Sequence, residues 1–75
     1  MRRNRLTVRE LEILKLVGAG YEYKEVAQQL AIKTTTVQNT ITRVILKLAA
    51  PNRTSAVIVA LKKHEIHLEQ IPEYE

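Results

Sequence analysis

The sequence predicts a small all-α domain built from four helices. Apolar residues recur at helical spacing in four stretches, and Gly or Pro residues separate several of them. No stretch shows the alternation of a strand, an internal repeat or low complexity. With 75 residues, the chain has the length of one domain with a modest core.

The first helix is predicted from about Val8 to Ala19. Thr7 and Glu10 have the spacing of a capping box, in which each side chain satisfies a backbone N–H near the other residue. An aliphatic stripe follows, and Gly20 suits the left-handed residue that ends a helix. We therefore expect both ends of this helix to be sharply defined.

The second helix is predicted to span about two turns within residues 21–30, with Val26, Ala27 and Leu30 on its apolar face. Residues 31–33 then form a tight break, in which Ile32 fills the corner between helices. Two helices joined by a turn of three or four residues are typical of a helix-turn-helix. The small side chain of Ala27 lets the third helix cross closely over the second.

The third helix is predicted within residues 33–48 and has two chemically distinct faces. Its apolar face carries Val37, Ile41, Val44, Ile45 and Leu48, and its opposite face carries Thr34, Thr35, Gln38, Asn39, Thr42 and Arg43. The opposite face thus carries hydrogen-bond donors and acceptors and one cation, with no carboxylate among them. Such a face is suited to reading base edges. The residues alone fit an ordinary solvated helix surface equally well.

The fourth helix is predicted from Arg53 to about Lys63, because Pro51 ends the third helix and Asn52 can cap the next one. Its inward residues are expected to be Ala56, Val57, Ala60 and Leu61. Ile58 and Val59 leave that face. This extra apolar surface favours contact with a partner helix over a wide core contact.

Charge divides the chain into a basic body and an acidic end. All 12 Lys and Arg lie within residues 1–63 against four Glu, a net +8, whereas residues 64–75 carry four Glu, a net −4. A basic surface is typical of nucleic-acid binding. Residues 1–5 are either a solubilising terminus or a phosphate-contacting arm. Residues 65–75 are expected to extend the fourth helix briefly and then fray as a solvated tail.

Several classes of protein and site are excluded by the composition. The absence of Cys excludes disulfides and thiolate metal sites, and it fits an intracellular protein. His64 and His67 lack an accompanying ligand cluster, so neither a metal nor a cofactor is expected. The longest apolar run has six residues, residues 56–61, which is too short to cross a bilayer. The sequence contains no glycine-rich phosphate-binding loop and no set of residues at catalytic spacing, so it does not indicate an enzyme.

Many short segments at fixed spacing resemble the LuxR-type (GerE-like) helix-turn-helix. The matching segments run without gaps from Leu6 to about Leu61: Leu6-Thr7-x-Arg9-Glu10, Gly20, Lys24-Glu25-Val26-Ala27, Leu30, Ile32, Thr36-Val37, Lys47-Leu48 and Arg53-Thr54-x-Ala56-Val57. The resemblance implies a bacterial transcription regulator with a domain over residues 6–64, between the basic arm and the acidic tail. The initial Met and the short arm favour a stand-alone member of the family over an excised domain.

The resemblance also implies roles for individual residues. The third helix would enter the major groove, and the fourth would form a homodimer contact. Base reading falls to Gln38, Asn39 and Thr42; phosphate contact to Tyr23, Lys24, Lys33, Thr34, Thr35 and Thr36 at the starts of the second and third helices; and the dimer interface to Val57, Ile58, Leu61 and Lys62. Arg43 and Lys47 are further candidates for phosphate contact by their charge and position. The implied partners are double-stranded DNA, a second copy of the chain, and RNA polymerase or another regulator, all in the bacterial cytoplasm.

The chain departs from the family pattern at several positions. Gln38 stands where a Lys is common, so an amide replaces a cation. Glu22 and Tyr23 replace the usual Ser-Asn, which puts an acid where a phosphate would approach and leaves the Tyr23 hydroxyl to donate instead. Lys33 replaces a Ser or Thr cap, a role that the following threonine can take. Ala49 replaces a Gly, so the turn after the third helix is expected to be built differently.

Two other readings of the same residues remain open. A sigma-factor region 4-like domain has a similar start and a helix-turn-helix, although the segment from Asn52 to Val57 favours the LuxR type. A protein-binding module, such as an anti-regulator, would keep the fold without reading DNA, and Glu22 together with the acidic tail fits that role. DNA binding that falls with salt concentration distinguishes a DNA reader from a protein-binding module.

Overall fold

A computed structural model describes residues 5–73, and the structural statements below concern that part of the chain. Four α-helices follow one another: α1 (Val8–Ala19), α2 (Tyr23–Leu30), α3 (Thr34–Lys47) and α4 (Arg53–Lys62), and a 3-10 turn covers Leu68–Gln70. Since residues 5–73 contain no strand, the all-α prediction is confirmed. None of these helices combines the length and the apolar character needed to span a membrane.

Helix α1 begins and ends as its sequence predicts. The Glu10 N–H donates to Thr7 Oγ1 at 3.1 Å, and the Thr7 N–H donates to Glu10 Oε1 at 2.9 Å, which completes the capping box. Gly20 ends the helix with φ 109° and ψ 0°, a conformation that a side chain would strain. Both predicted ends are confirmed.

The core lies where the four helices meet, with α3 packed against α1, α2 and α4. Its buried apolar residues come from every helix and from both flanking segments: Leu6, Ile13, Leu14, Val26, Ala27, Val37, Ile41, Val44, Leu48, Ala56, Ala60 and Ile66. Each large aliphatic side chain among them contributes roughly 1.5–3 kcal/mol on burial. The apolar face predicted for α3 is thus the buried face, and burial of Ala27 is consistent with a close α2–α3 crossing.

The turn between α2 and α3 uses a left-handed alanine in place of a glycine. Ala31 has φ 56° and ψ 45°, and the Ile32 N–H donates to the Ala27 carbonyl at 2.9 Å. A left-handed residue with a side chain costs roughly 1–2 kcal/mol. Ile32 is half-buried against the core, as predicted, and its packing offsets part of that cost.

Two expectations about the ends of α3 are wrong. The N-cap is Lys33, without a side-chain hydrogen bond, and Thr34 is already the first helical residue, so Thr34 does not take over the cap. Ala49 adopts the left-handed φ of 54°, and the Ala50 N–H donates to the Ile45 carbonyl at 3.0 Å. This is the turn that a glycine would form, built here on an alanine.

The expectation that the segment after α4 extends the helix and then frays is wrong: residues 65–73 turn back onto the domain, although residues 67–70, 72 and 73 are exposed. His64 has φ 61°, the Glu65 N–H donates to the Ala60 carbonyl at 2.9 Å, and Ile66 is 0% exposed. The Tyr21 hydroxyl donates to the Glu73 carbonyl at 3.2 Å, so the segment returns across the end of α1. The prediction failed because it rested on the terminal position of the segment, whereas Ile66 and Ile71 pack against the core and hold the segment in place.

Candidate nucleic-acid interface

The structure places the three predicted base-reading residues on the exposed part of α3. Gln38, Asn39 and Thr42 are all exposed, whereas Val37 and Ile41 beside them in sequence are buried. The Thr42 hydroxyl donates to the Gln38 carbonyl at 3.0 Å, which leaves its oxygen free to accept. The exposed face of α3 therefore presents two side-chain amides, from Gln38 and Asn39, and one hydroxyl acceptor, from Thr42.

The beginning of α3 is suited to an anion. Thr34, Thr35 and Thr36 are exposed, Lys33 precedes them, and the first turn contains no acidic residue. First-turn N–H groups and the helix dipole favour negative charge at this end. All four predicted phosphate-contacting residues here are accessible, and the structure brings them together in one turn.

The beginning of α2 is more acidic than the beginning of α3. Glu25 Oε1 accepts from the Glu22 N–H at 2.8 Å, so two carboxylates lie in this turn beside the exposed Lys24. Tyr23 is half-buried, and the guanidinium carbon of Arg53 lies 4.9 Å from the centroid of its ring. Arg53 comes from α4, and sequence reasoning gave it no part in this surface.

A buried carboxylate connects α1 to the second half of α3. Glu10 is 4% exposed, its Oε1 accepts from Lys47 Nζ at 2.8 Å, and its Oε2 lies 3.6 Å from Arg43 Nε. Burial alone would raise the pKa of Glu10. Hydrogen bonds from Lys47 and Thr7, together with the charge of Lys47, outweigh burial and lower that pKa below its ordinary value of 4.5.

Lys47 and Arg43, two of the predicted phosphate contacts, differ in how far this network draws their charges into the protein. The Lys47 side chain is 25% exposed, and its ammonium also lies 3.4 Å from the Arg5 carbonyl, so its charge is directed into the protein. The Arg43 side chain is 58% exposed and donates to Thr40 Oγ1 at 3.3 Å, so it lies at the edge of the outer face. Thr40 is itself buried and donates to the Thr36 carbonyl at 2.7 Å.

The predicted dimer residues differ in accessibility. Val57 and Leu61 are half-buried, Lys62 is exposed, and Ile58 is 48% exposed. A Cβ added at Gly18 would lie 3.3 Å from Val57 Cγ1, so α4 passes close to α1 and Val57 faces that contact. Ile58 is therefore the aliphatic residue of this set that α4 leaves most open.

A short helix, a tight turn and a longer helix with an exposed polar face, set on a basic body, define a helix-turn-helix DNA-binding domain. The family described as "Bacterial regulatory proteins, luxR family" (GerE) matches residues 4–60. The chain belongs to this family, and the resemblance seen in the sequence is confirmed.

Relatives of known name agree with this assignment. Over 60 residues, 80% of this chain, it is 45% identical to the transcriptional regulatory protein DesR of Bacillus subtilis. Over 61 residues, 81% of this chain, it is 39% identical to the response regulator protein VraR of Staphylococcus aureus. The chain spans about 30% of the length of these relatives, 30% of DesR and 29% of VraR.

A solved structure of the transcription factor GerE has the same fold. It superimposes with a TM-score of 0.82 at 38% sequence identity, covering 88% of this chain and 98% of the GerE chain. Helices α1 to α4 therefore form a LuxR-family DNA-binding domain of a transcription regulator.

Replacing Glu10 with Gln should destabilise the domain at neutral pH by about 1–3 kcal/mol, since Lys47 loses a charged partner. Because the folded-state pKa of Glu10 is lowered, its stabilisation is present above pH 4.5 and is lost as the pH falls below that value. Urea unfolding at pH 7 and at pH 3 measures both effects, and the gap between wild type and Glu10→Gln should narrow in acid.

Glu12→Gln is the matched control, because Glu12 pairs with Arg9 on the surface of the same helix at 3.6 Å. An exposed pair of this kind contributes less than about 1 kcal/mol. Equal destabilisation by the two substitutions, or a gap for Glu10→Gln that does not depend on pH, would contradict the role given to Glu10.

Proposed function

We propose that this domain recognises specific sequences in double-stranded DNA by inserting α3 into the major groove. The carboxylate-free outer face of α3, with Gln38, Asn39 and Thr42 exposed together, is the observation that carries the proposal. A base-edge reader needs donors and acceptors held on a rigid helix, and the buried side of α3 provides that rigidity. The target would be a bacterial operator, so the protein would act in the cytoplasm.

The two amides indicate what would be read. Asn and Gln side chains form bidentate hydrogen bonds with N6 and N7 of adenine, at roughly 1–3 kcal/mol of discrimination for each good pair. Thr42 can offer its methyl group to thymine or accept from a base amino group. We therefore propose a half-site that contains A·T pairs within the bases facing Gln38 and Asn39.

Affinity would come from phosphate contacts that carry no sequence information. Their support is strongest for Lys33 and the three threonines at the beginning of α3, where no carboxylate interferes. Lys24, Tyr23 and Arg43 would extend the contact on either side. Lys47 is the weakest of the predicted contacts, because reaching a phosphate would leave Glu10 buried without its closest cation.

We further propose that α4 pairs two domains into a homodimer. The support is the 48% exposure of Ile58 in a helix that is otherwise largely used by the core, with Lys62 one turn further along. Val57 and Leu61 would contribute their exposed edges. Two copies related by a two-fold axis would then face half-sites about one turn of DNA apart.

Replacing Gln38 or Asn39 with Ala should remove preference at the base pair that each amide reads, by about 1–3 kcal/mol per position. Sequences selected from a random DNA pool measure that preference directly. Gln29→Ala is the control, since Gln29 is an exposed glutamine in a groove formed with Glu12 and Lys15. Unchanged preference in both α3 variants would refute base reading, and absent or salt-independent binding by the wild type would favour a protein-binding module.

Replacing Ile58 with Glu should lower affinity for a duplex carrying two half-sites by on the order of 100-fold, because the second copy no longer gains from the first. Affinity for a single half-site should match that of Leu68→Glu, a control that changes charge equally at an aliphatic side chain that is 72% exposed outside α4. Titration with analytical ultracentrifugation gives affinity and stoichiometry. Equal two-site binding by both variants would refute the dimer.

A further inference from the structure

We propose that Arg53 is a positioning residue for DNA binding: it holds the Tyr23 ring so that the phenol at the start of α2 donates to a backbone phosphate. This inference rests on the proposed DNA-binding function and adds a residue from α4 to it. Arg53 is exposed, and its guanidinium carbon lies 4.9 Å from the centroid of the Tyr23 ring, within the range of a cation–π interaction.

Both partners of this contact are held by their own helices. Asn52 Oδ1 accepts from the Ser55 N–H at 2.8 Å, which caps α4. This cap fixes the backbone of the first turn of α4, from which the Arg53 side chain extends. Tyr23 is the first residue of α2, half-buried and packed against the core. The ring therefore has one side supported by the core, and Arg53 restricts its movement from solvent.

Arg53 also compensates negative charge at the beginning of α2. Glu22 and Glu25 lie in this turn, and Lys24 is the cation that α2 itself supplies. Two carboxylates against one ammonium disfavour a phosphate. Arg53, which lines the same groove as Glu22, brings the local charge of these four residues to zero.

The two contributions can be separated by chemistry. A Lys at position 53 keeps the positive charge, but it lacks the planar group that stacks on an aromatic ring. A Phe at position 23 keeps the ring that Arg53 covers, but it lacks the hydroxyl that would donate. Arg53→Lys, Tyr23→Phe and their combination therefore leave the net charge and the ring unchanged.

A double-mutant cycle on DNA affinity tests the proposal, using a duplex selected by the wild-type protein and fluorescence anisotropy at two salt concentrations. We expect Tyr23→Phe to weaken binding by about tenfold, as for a lost hydrogen bond to a charged group. Arg53→Lys should weaken binding by at least about threefold, and the double variant should bind like Tyr23→Phe alone. The slope of affinity against salt should stay constant, because no phosphate-bound cation is lost.

Three results would overturn the proposal. If the effects of Arg53→Lys and Tyr23→Phe multiply, Arg53 acts through its own contact and not through Tyr23. If Arg53→Lys binds DNA like the wild type, Arg53 contributes only its charge. If Arg53→Lys lowers the melting temperature, and its effects on melting temperature and on affinity are the same in the Tyr23→Phe background as in the wild type, Arg53 has only a structural role. In each case the wild type still binds, whereas absence of wild-type binding would overturn the proposed function as well.

Discussion

The arrangement of this domain depends on one buried carboxylate shared between two helices. Glu10 Oε1 accepts from the Thr7 N–H at 2.9 Å and from Lys47 Nζ at 2.8 Å, so the atom that caps α1 also binds α3. A buried carboxylate is tolerated only when its charge is compensated and its lone pairs are used. The aliphatic core packs the helices together, and the Glu10–Lys47 contact favours one register of α3 against α1.

That register decides which residues α3 presents. With Val37, Ile41 and Val44 in the core and Lys47 directed to Glu10, the outer face is left to the amides and threonines. Arg43 lies between the two, close to Glu10 and yet more than half exposed. The base reading proposed for α3 would need this division, because a base-reading side chain is useful only when its backbone is held in place.

Local signals predicted most of the fold. The Thr7–Glu10 capping box, Gly20, Asn52 and the apolar period of α3 act within a few residues, so they can be read directly from the sequence. The burial of Ile66 could not be predicted in this way, because it depends on the chain reversing at His64 with a left-handed φ of 61°. Ala31 and Ala49 likewise adopt backbone conformations that their residue type disfavours, and tertiary packing compensates for the strain.

The exposed face of α3 in the candidate site could be predicted from the sequence, whereas the contacts between different helices could not. The outer face of α3 follows from its period, as the exposure of Gln38 and Asn39 shows. The Glu10–Lys47 pair spans 37 positions of sequence, and the stacking of Arg53 on Tyr23 joins α4 to α2. Such contacts follow from tertiary packing, which gives no periodic signal in the sequence.

The most direct test of DNA reading by α3 is the change in backbone amide chemical shifts when duplex DNA is added to isotope-labelled protein. We expect the largest changes on the outer face of α3, around Gln38, Asn39 and Thr42, and on the first turns of α2 and α3. Changes concentrated on α4 or on residues 65–73, with α3 unaffected, would contradict it.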